Sequence, residues 1–308
     1  MIETLHDIID LFDERLHPVV AHAPALERLC TGAIWSEGPV WIAEDDSVLW
    51  SDIPNDRVLR WSARDGMRVW RQGVEFTNGH ARDLDGSLLH CSHGLRAVYR
   101  TDVDGANQRI VVDRWEERRF KSPNDIVVRS DGTQWFTDPP YGLIVPEEGH
   151  GGTSEIGDCF VFRHDPRTGA LDPVTDLPEH PNGLAFSPDE TLLYVSDTSG
   201  ALPGQGHNHC IWRFDVVDGR RLVNGCKFAD IAPGVPDGFR LDAQGWIYTS
   251  AQDGVHVYHP DGTRLGRIRV PEKVGNVTFG GPARDTLYVA ASSSLYRIRL
   301  ATRGVQKP

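Results

Sequence analysis

The chain has 308 residues, enough for one large domain with a sizeable apolar core. Its 32 Lys and Arg against 44 Asp and Glu leave a formal net charge of −12 with no basic run, which excludes the electrostatic footprint of a duplex nucleic acid or an anionic membrane surface as partner. No segment approaches the roughly 18 consecutive apolar residues of a spanning helix.

In chain order, residues 1–25 begin MIETLHDIIDLFDERLHP, acidic where a secretory leader needs a basic end and an apolar block. The segment reads as a short amphipathic helical extension, and the protein is expected in the cytoplasm. Residues 26–35 are expected to form an outer strand that closes the last structural unit onto the first. From there to the C-terminus one pattern recurs: a turn signal, then a strand rich in aromatic and β-branched residues. These strands read SVLWSD at 47–52, SLLHCS at 87–92, TQWFTD at 133–138, LLYVSD at 192–197, WIYTSA at 246–251 and TLYVAA at 286–291. A partner strand follows each: VLRW at 58–61, AVYR at 97–100, FVFRH at 160–164, IWRFD at 211–215, VHVYH at 255–259 and LYRIR at 295–299. The five cysteines are widely spaced, with no CxxC pair, and read as reduced buried thiols rather than a disulfide or zinc framework.

Six such units of about 40–60 residues match the period of a propeller blade. One small sheet cannot bury both faces alone, whereas six arranged radially cover one another and leave only short edges. The predicted fold is all-β: a six-bladed β-propeller over residues 26–308 with a short N-terminal helical extension, 1–25.

The strand before each turn begins EGPVW at Glu37, NGHAR at Asn78, NDIVV at Asn124, NGLAF at Asn182, DGFRL at Asp237 and GNVTF at Gly275. Asn or Asp before Gly also favours tight turns, but here the spacing to the following strand is nearly constant in all six units. In a propeller the innermost strands border the central channel, so these positions form a ring. A ring of carboxylate and amide oxygens suits one hard divalent cation, calcium first, with magnesium, manganese or zinc as alternatives. Glu37, Asn124, Asn182 and Asp237 are the expected ligands. Asn78 is either a further ligand, a group behind the ligands or a substrate contact.

SEGPVW at 36–41, SPNDIVV at 122–128, WFTDPPYG at 135–142, HPNGLAFSPD at 180–189 and PDGFRLDAQG at 236–245 carry a resemblance to a known family. The chain resembles the senescence marker protein, gluconolactonase and luciferin-regenerating enzyme-like group, its bacterial gluconolactonase branch most of all, and more distantly the paraoxonases and diisopropyl fluorophosphatase. The resemblance runs from about Trp35 to about Leu300. It implies a six-bladed propeller with one divalent metal held by Glu37, Asn124, Asn182 and Asp237, and a small lactone as substrate. One position departs from the pattern: the animal members carry a substrate-binding arginine where this chain has Ser122.

An antiparallel hairpin returns the end of each second strand to the start of the first, so Asp52, Ser92 with His93, Asp138 and Asp197 should surround the same mouth. Asp52 and Asp197 read as turn caps, and His80, His90, His207 and His209 as structural or surface groups. His93, Asp138 and Tyr141 are candidate substrate contacts. The expected chemistry is metal-assisted opening of a sugar lactone, with Asp237 as general base and Asp138 or His93 as substitutes. No GxSxG element points to a serine nucleophile. Two alternatives stand beside it: an aryl ester or organophosphate hydrolase using the same ion, and a non-catalytic metal-binding propeller.

Overall fold

The computed structural model describes residues 8–22 and 25–305. Six antiparallel meanders account for nearly all of it. The first comprises Ser36–Ile42, Ser47–Asp52, Arg57–Ser62 and Gly66–Gln72. The innermost strands of the six blades are Ser36–Ile42, Thr77–Arg82, Ile126–Val128, Pro181–Phe186, Phe239–Leu241 and Val274–Gly280. Each packs beside the next, and Val274–Gly280 returns to Ser36–Ile42, so the sheets close into a six-bladed propeller. The aromatic and β-branched segments read from the sequence fall on the second and third strands of every blade, most within a residue of their bounds.

Closure follows the expected route. Glu27–Thr31 pairs antiparallel with Ser294–Arg299, so the beginning of the ring supplies the outer strand of the last blade. The core lies between blades rather than inside them. Phe120, Phe136 and Phe162 pack with Leu89 and Val98 between blades two and three, and Trp135, Leu184 and Val195 fill the space between three and four. This is the burial that a single sheet cannot achieve.

The N-terminal segment departs in part from the helical expectation, of which residues 1–7, 23 and 24 lie outside the described residues. Ile9–Leu11 is a strand that pairs with Arg264–Ile268 and makes blade five five-stranded. The expected helix is reduced to a 3-10 turn, Glu14–Leu16, and one α-helical turn, His17–Val20, with Pro18 in the first turn of the latter. The reason is the exposed edge of blade five: the segment satisfies that edge's free backbone groups. Asp10 meanwhile pairs with Arg267 and Arg269, and Ile8, Leu16, Val19 and Val20 are buried against blades five and six. No helix among the described residues is long and apolar enough to cross a membrane.

One long excursion interrupts the regular meanders. Between the second and third strands of blade three, Gln134–Thr137 and Val161–Asp165, the chain leaves the sheet and makes one helical turn at Tyr141–Ile144.

Leu16 is fully buried beneath the N-terminal strap. Leu16→Ala is expected to cost about 2–4 kcal/mol in equilibrium denaturation while leaving the turnover number of the folded protein at its wild-type value; an unchanged denaturation midpoint would show that the strap does not hold blade five.

Candidate functional site

At one mouth of the channel the innermost strands are irregular, and the irregularity places the polar ring. Glu37 faces Ser51 but Val40 faces Leu49; Thr77 faces Ser92 but His80 faces His90; Pro181 faces Asp197 but Leu184 faces Val195. Each of these inner strands thus carries one extra residue, a bulge that ends regular pairing and re-aims the side chains beside it. In blades three and five Asn124 and Asp237 sit just ahead of the strand proper. Two glycines are dictated by this crowding. Gly38 has φ +54°, and a Cβ there would lie 2.2 Å from the Asn78 carbonyl oxygen. At the sixth ring position, Gly275, a Cβ would lie 2.6 Å from Glu37 Oε1: the ring has no sixth side chain because Glu37 occupies the space.

The backbone of each ring residue after the first is held by the preceding blade. Ser51 Oγ donates to the Asn78 carbonyl at 2.7 Å, the Gly79 N–H to that of Asn124 at 2.8 Å, Thr137 Oγ1 to that of Asn182 at 2.7 Å and Ser196 Oγ to that of Asp237 at 2.7 Å. The hydroxyls sit at matched places near the ends of second strands (SD, TD, SD), a signal present in the sequence.

All five ring side chains converge on one cavity of about 230 Å³. Asn78 Nδ2 donates to Asn124 Oδ1 at 2.7 Å, Asn124 Nδ2 to Asn182 Oδ1 at 2.6 Å, and Asn182 Nδ2 to Thr198 Oγ1 at 3.3 Å. Glu37 Oε2 accepts from the Gly38 N–H at 2.9 Å and from Asn276 Nδ2 at 3.2 Å, while Glu37 Oε1 is buried without a partner. Asp237 lies against Asn182 and Glu37. Burial, reinforced by the neighbouring Asp237, holds the Glu37 carboxyl well above the usual range. Burial likewise pushes Asp237 up to about 6 against the pull of Lys273.

Two adjoining buried carboxyl groups, with Lys273 as the opposing charge, form a site that a cation would stabilise, and the amide oxygens retain spare lone pairs. A hard cation fits that donor set. Among the described residues no group of three or more His, Cys, Asp or Glu side chains is placed to hold a metal ion, so a cation here needs the asparagine oxygens as well.

The remaining candidates divide. Tyr141 reaches the cavity wall from the one-turn helix, its hydroxyl bonded to Thr198. His93 stands behind the ring rather than in the cavity: Nε2 lies 3.0 Å from Asn124 Oδ1 and Nδ1 3.0 Å from the Glu148 carbonyl oxygen, and burial lowers its pKa. Asp138 does not line the cavity. Its two oxygens accept the backbone N–H groups of Lys121 and Ser122 at 2.9 and 2.8 Å, fixing the loop that carries Asn124. Asp52 and Asp197 do the same work, accepting from Ile34 N and Glu179 N. Ser122 is fully buried; it donates to the Pro139 carbonyl and accepts from the Gly142 N–H, anchoring the one-turn helix. Glu148, Lys273 and Thr198 also line the cavity and carry no motif of their own. The first lies in an irregular excursion, so position in the sequence gives no clue to its placement.

Comparison with known proteins bears on the whole chain. A family described as the SMP-30/Gluconolactonase/LRE-like region matches residues 35–293. The chain belongs to this family. Relatives of the gluconolactonase branch include the gluconolactonase of Zymomonas mobilis, 32% identical over 96% of this chain and 87% of that protein. A gluconolactonase structure from Xanthomonas campestris is 38% identical, superposes with a TM-score of 0.88 and covers 96% of this chain and 95% of that one. A structure described as a putative gluconolactonase is 35% identical with a TM-score of 0.90, over 97% of this chain and 100% of the other. Members as distant as luciferin-regenerating enzyme, 17% identical, share the fold.

The Ser196 hydroxyl joins blade four to the backbone of Asp237. Ser196→Ala is expected to destabilise the protein by about 1–3 kcal/mol, the cost of leaving a buried carbonyl unpaired, measurable by urea denaturation; no change would show that the bond is replaceable.

Proposed function

We propose that the protein is a metal-dependent hydrolase that opens a sugar lactone to its hydroxy acid. The observation that carries this reading is the convergence of Glu37, Asp237, Asn124 and Asn182 on one cavity, with a buried carboxylate oxygen left unpartnered. The gluconolactonase relatives supply the substrate class. One divalent ion would be held by these four side chains, calcium as the first choice. When bound, it supplies Lewis-acid polarisation of the lactone carbonyl and lowers the pKa of a coordinated water.

The residues of the chain provide the rest. Asp237 takes the proton of the attacking water as that oxygen bonds to the carbonyl carbon. The ring C–O bond breaks, and the proton passes to the departing alkoxide. General-base help of this kind contributes typically about 10²–10⁴-fold. Asn78, whose amide faces the cavity, and Tyr141, locked by Thr198, bind and orient the hydroxyl-bearing ring. Ile53, Val145, Leu202 and Val235 form apolar walls that exclude bulk water around the reacting bond. His93 and Asp138 act through Asn124: one braces its amide, the other the loop before it. The lactone reading is preferred to an aryl ester because the gluconolactonase relatives match nearly the whole chain and the cavity of about 230 Å³ is of small-molecule size.

Two measurements test this. Protein stripped by a chelator is expected to lose lactone hydrolysis in a pH-stat assay and to recover it with calcium or another divalent ion; full activity after verified metal removal would contradict the reading. Asp237→Asn is expected to lower kcat by at least about 10²-fold. Metal-free Asp237→Asn protein should also unfold at the same or a higher temperature than metal-free wild type, because a buried carboxylate beside Glu37 is removed. Wild-type turnover in this variant would refute the assignment of the base.

A further inference from the structure

The cavity at the polar ring does not end at its own wall. A second chamber of about 330 Å³ adjoins it and shares Ala201, Val235 and Lys273 with it. The two differ in charge. Glu37, Asp237 and Glu148 line the first, and burial together with Asp237 pushes Glu148 up to about 7 against the pull of Lys273. The second is lined by His207, His209, Gln252 and Lys273 with backbone of Gly200, Gly206 and Gly234, and by no carboxylate. A Glu179 carboxylate oxygen lies close beside Gly206, 2.3 Å from where a Cβ on that residue would stand.

Lys273 is at the junction. Its backbone is fixed one residue before the inner strand of blade six, its carbonyl accepting from Ser292 N at 2.9 Å and Ser292 Oγ at 3.1 Å. Its ammonium lies over the Trp35 ring, 4.8 Å from the centroid; among the described residues it makes no hydrogen bond or close ion pair, and it acts on the carboxyl groups of Asp237 and Glu148 through longer-range attraction. Lys121 and Lys227, by contrast, are spent on backbone carbonyls and on Asp230. In a chain with a net charge of −12, one ammonium free of hydrogen bonds and close ion pairs, at the wall shared by two chambers, is a ready anion contact.

We propose that Lys273 and the second chamber receive an acidic group carried outside the lactone ring, so that the preferred substrate is an anionic sugar lactone. This rests on the lactone reading of the first chamber. In a six-carbon δ-lactone the terminal carbon stands outside the ring, on the carbon that bears the leaving oxygen. A phosphate, sulfonate or carboxylate there would meet Lys273, with His207, His209 and Gln252 as further donors.

The test compares glucono-δ-lactone with its 6-phosphate, calcium present, in wild-type protein, Lys273→Met and Lys273→Arg. Wild type is expected to favour the phosphorylated lactone in kcat/KM. Lys273→Met should lower the ratio of the two kcat/KM values at least tenfold, chiefly through KM of the anionic substrate, and Lys273→Arg should keep the ratio within threefold of wild type. Calorimetric binding of 6-phosphogluconate gives a readout independent of turnover and should weaken at least tenfold in Lys273→Met. A wild-type preference for the neutral lactone, or equal losses for both substrates in Lys273→Met, would overturn the proposal while leaving lactone hydrolysis standing. Failure of wild type to open either lactone would instead overturn the lactone reading, and absent 6-phosphogluconate binding would then overturn the anion site too.

Discussion

Two carboxyl groups, Glu37 and Asp237, are buried against each other at the axis of the ring, and burial raises both pKa values. Without a counter-charge such a pair opposes folding, since each ion forfeits its hydration and repels the other. Its persistence is what the surrounding structure must secure. Gly275 gives Glu37 its space, and Asn276 and the Gly38 N–H share one of its oxygens. Asparagines from neighbouring blades, bonded in series, fill the remainder of the ring. The propeller supplies the means, because the starts of six sheets meet at one axis without any being near another in sequence.

Positional accuracy comes from backbone as much as from side chains. The carbonyls of Asn78, Asn182 and Asp237 are each held by the blade before, so a displacement of one blade is felt by the next side chain in the ring. Asp52, Asp138 and Asp197 extend the same logic outward, each clamping the loop that leads into its own inner strand. A site built this way is preorganised: its groups stand in place before a ligand arrives, which is the condition for electrostatic catalysis.

Much of this was legible in the sequence because a propeller repeats. The alternation of turn signals with strands such as SVLWSD and TLYVAA gave the blades, and the matched spacing of Glu37, Asn78, Asn124, Asn182 and Asp237 placed them on one ring. What repetition does not encode was read less well. The N-terminal extension keeps short helical turns at Glu14–Leu16 and His17–Val20, but Ile9–Leu11 became an edge strand because blade five's free edge outweighed local propensity. Asp138 read as a substrate contact because a second-strand end lies near the mouth, yet the two nearest backbone N–H groups claim its oxygens. Glu148 and Lys273 escaped notice because no other blade has a counterpart to compare. The family's arginine position illustrates the same limit: Ser122 there ties down the one-turn helix, a role visible only once the excursion after Pro139 is seen folded back upon it.

The most direct measurement is an anomalous difference map from a calcium-soaked crystal. The account predicts one peak at the channel mouth, with carboxylate and amide oxygens of Glu37, Asn124, Asn182 and Asp237 at about 2.3–2.6 Å. A map without density among those four side chains, or with the ion bound by a different set, would contradict it.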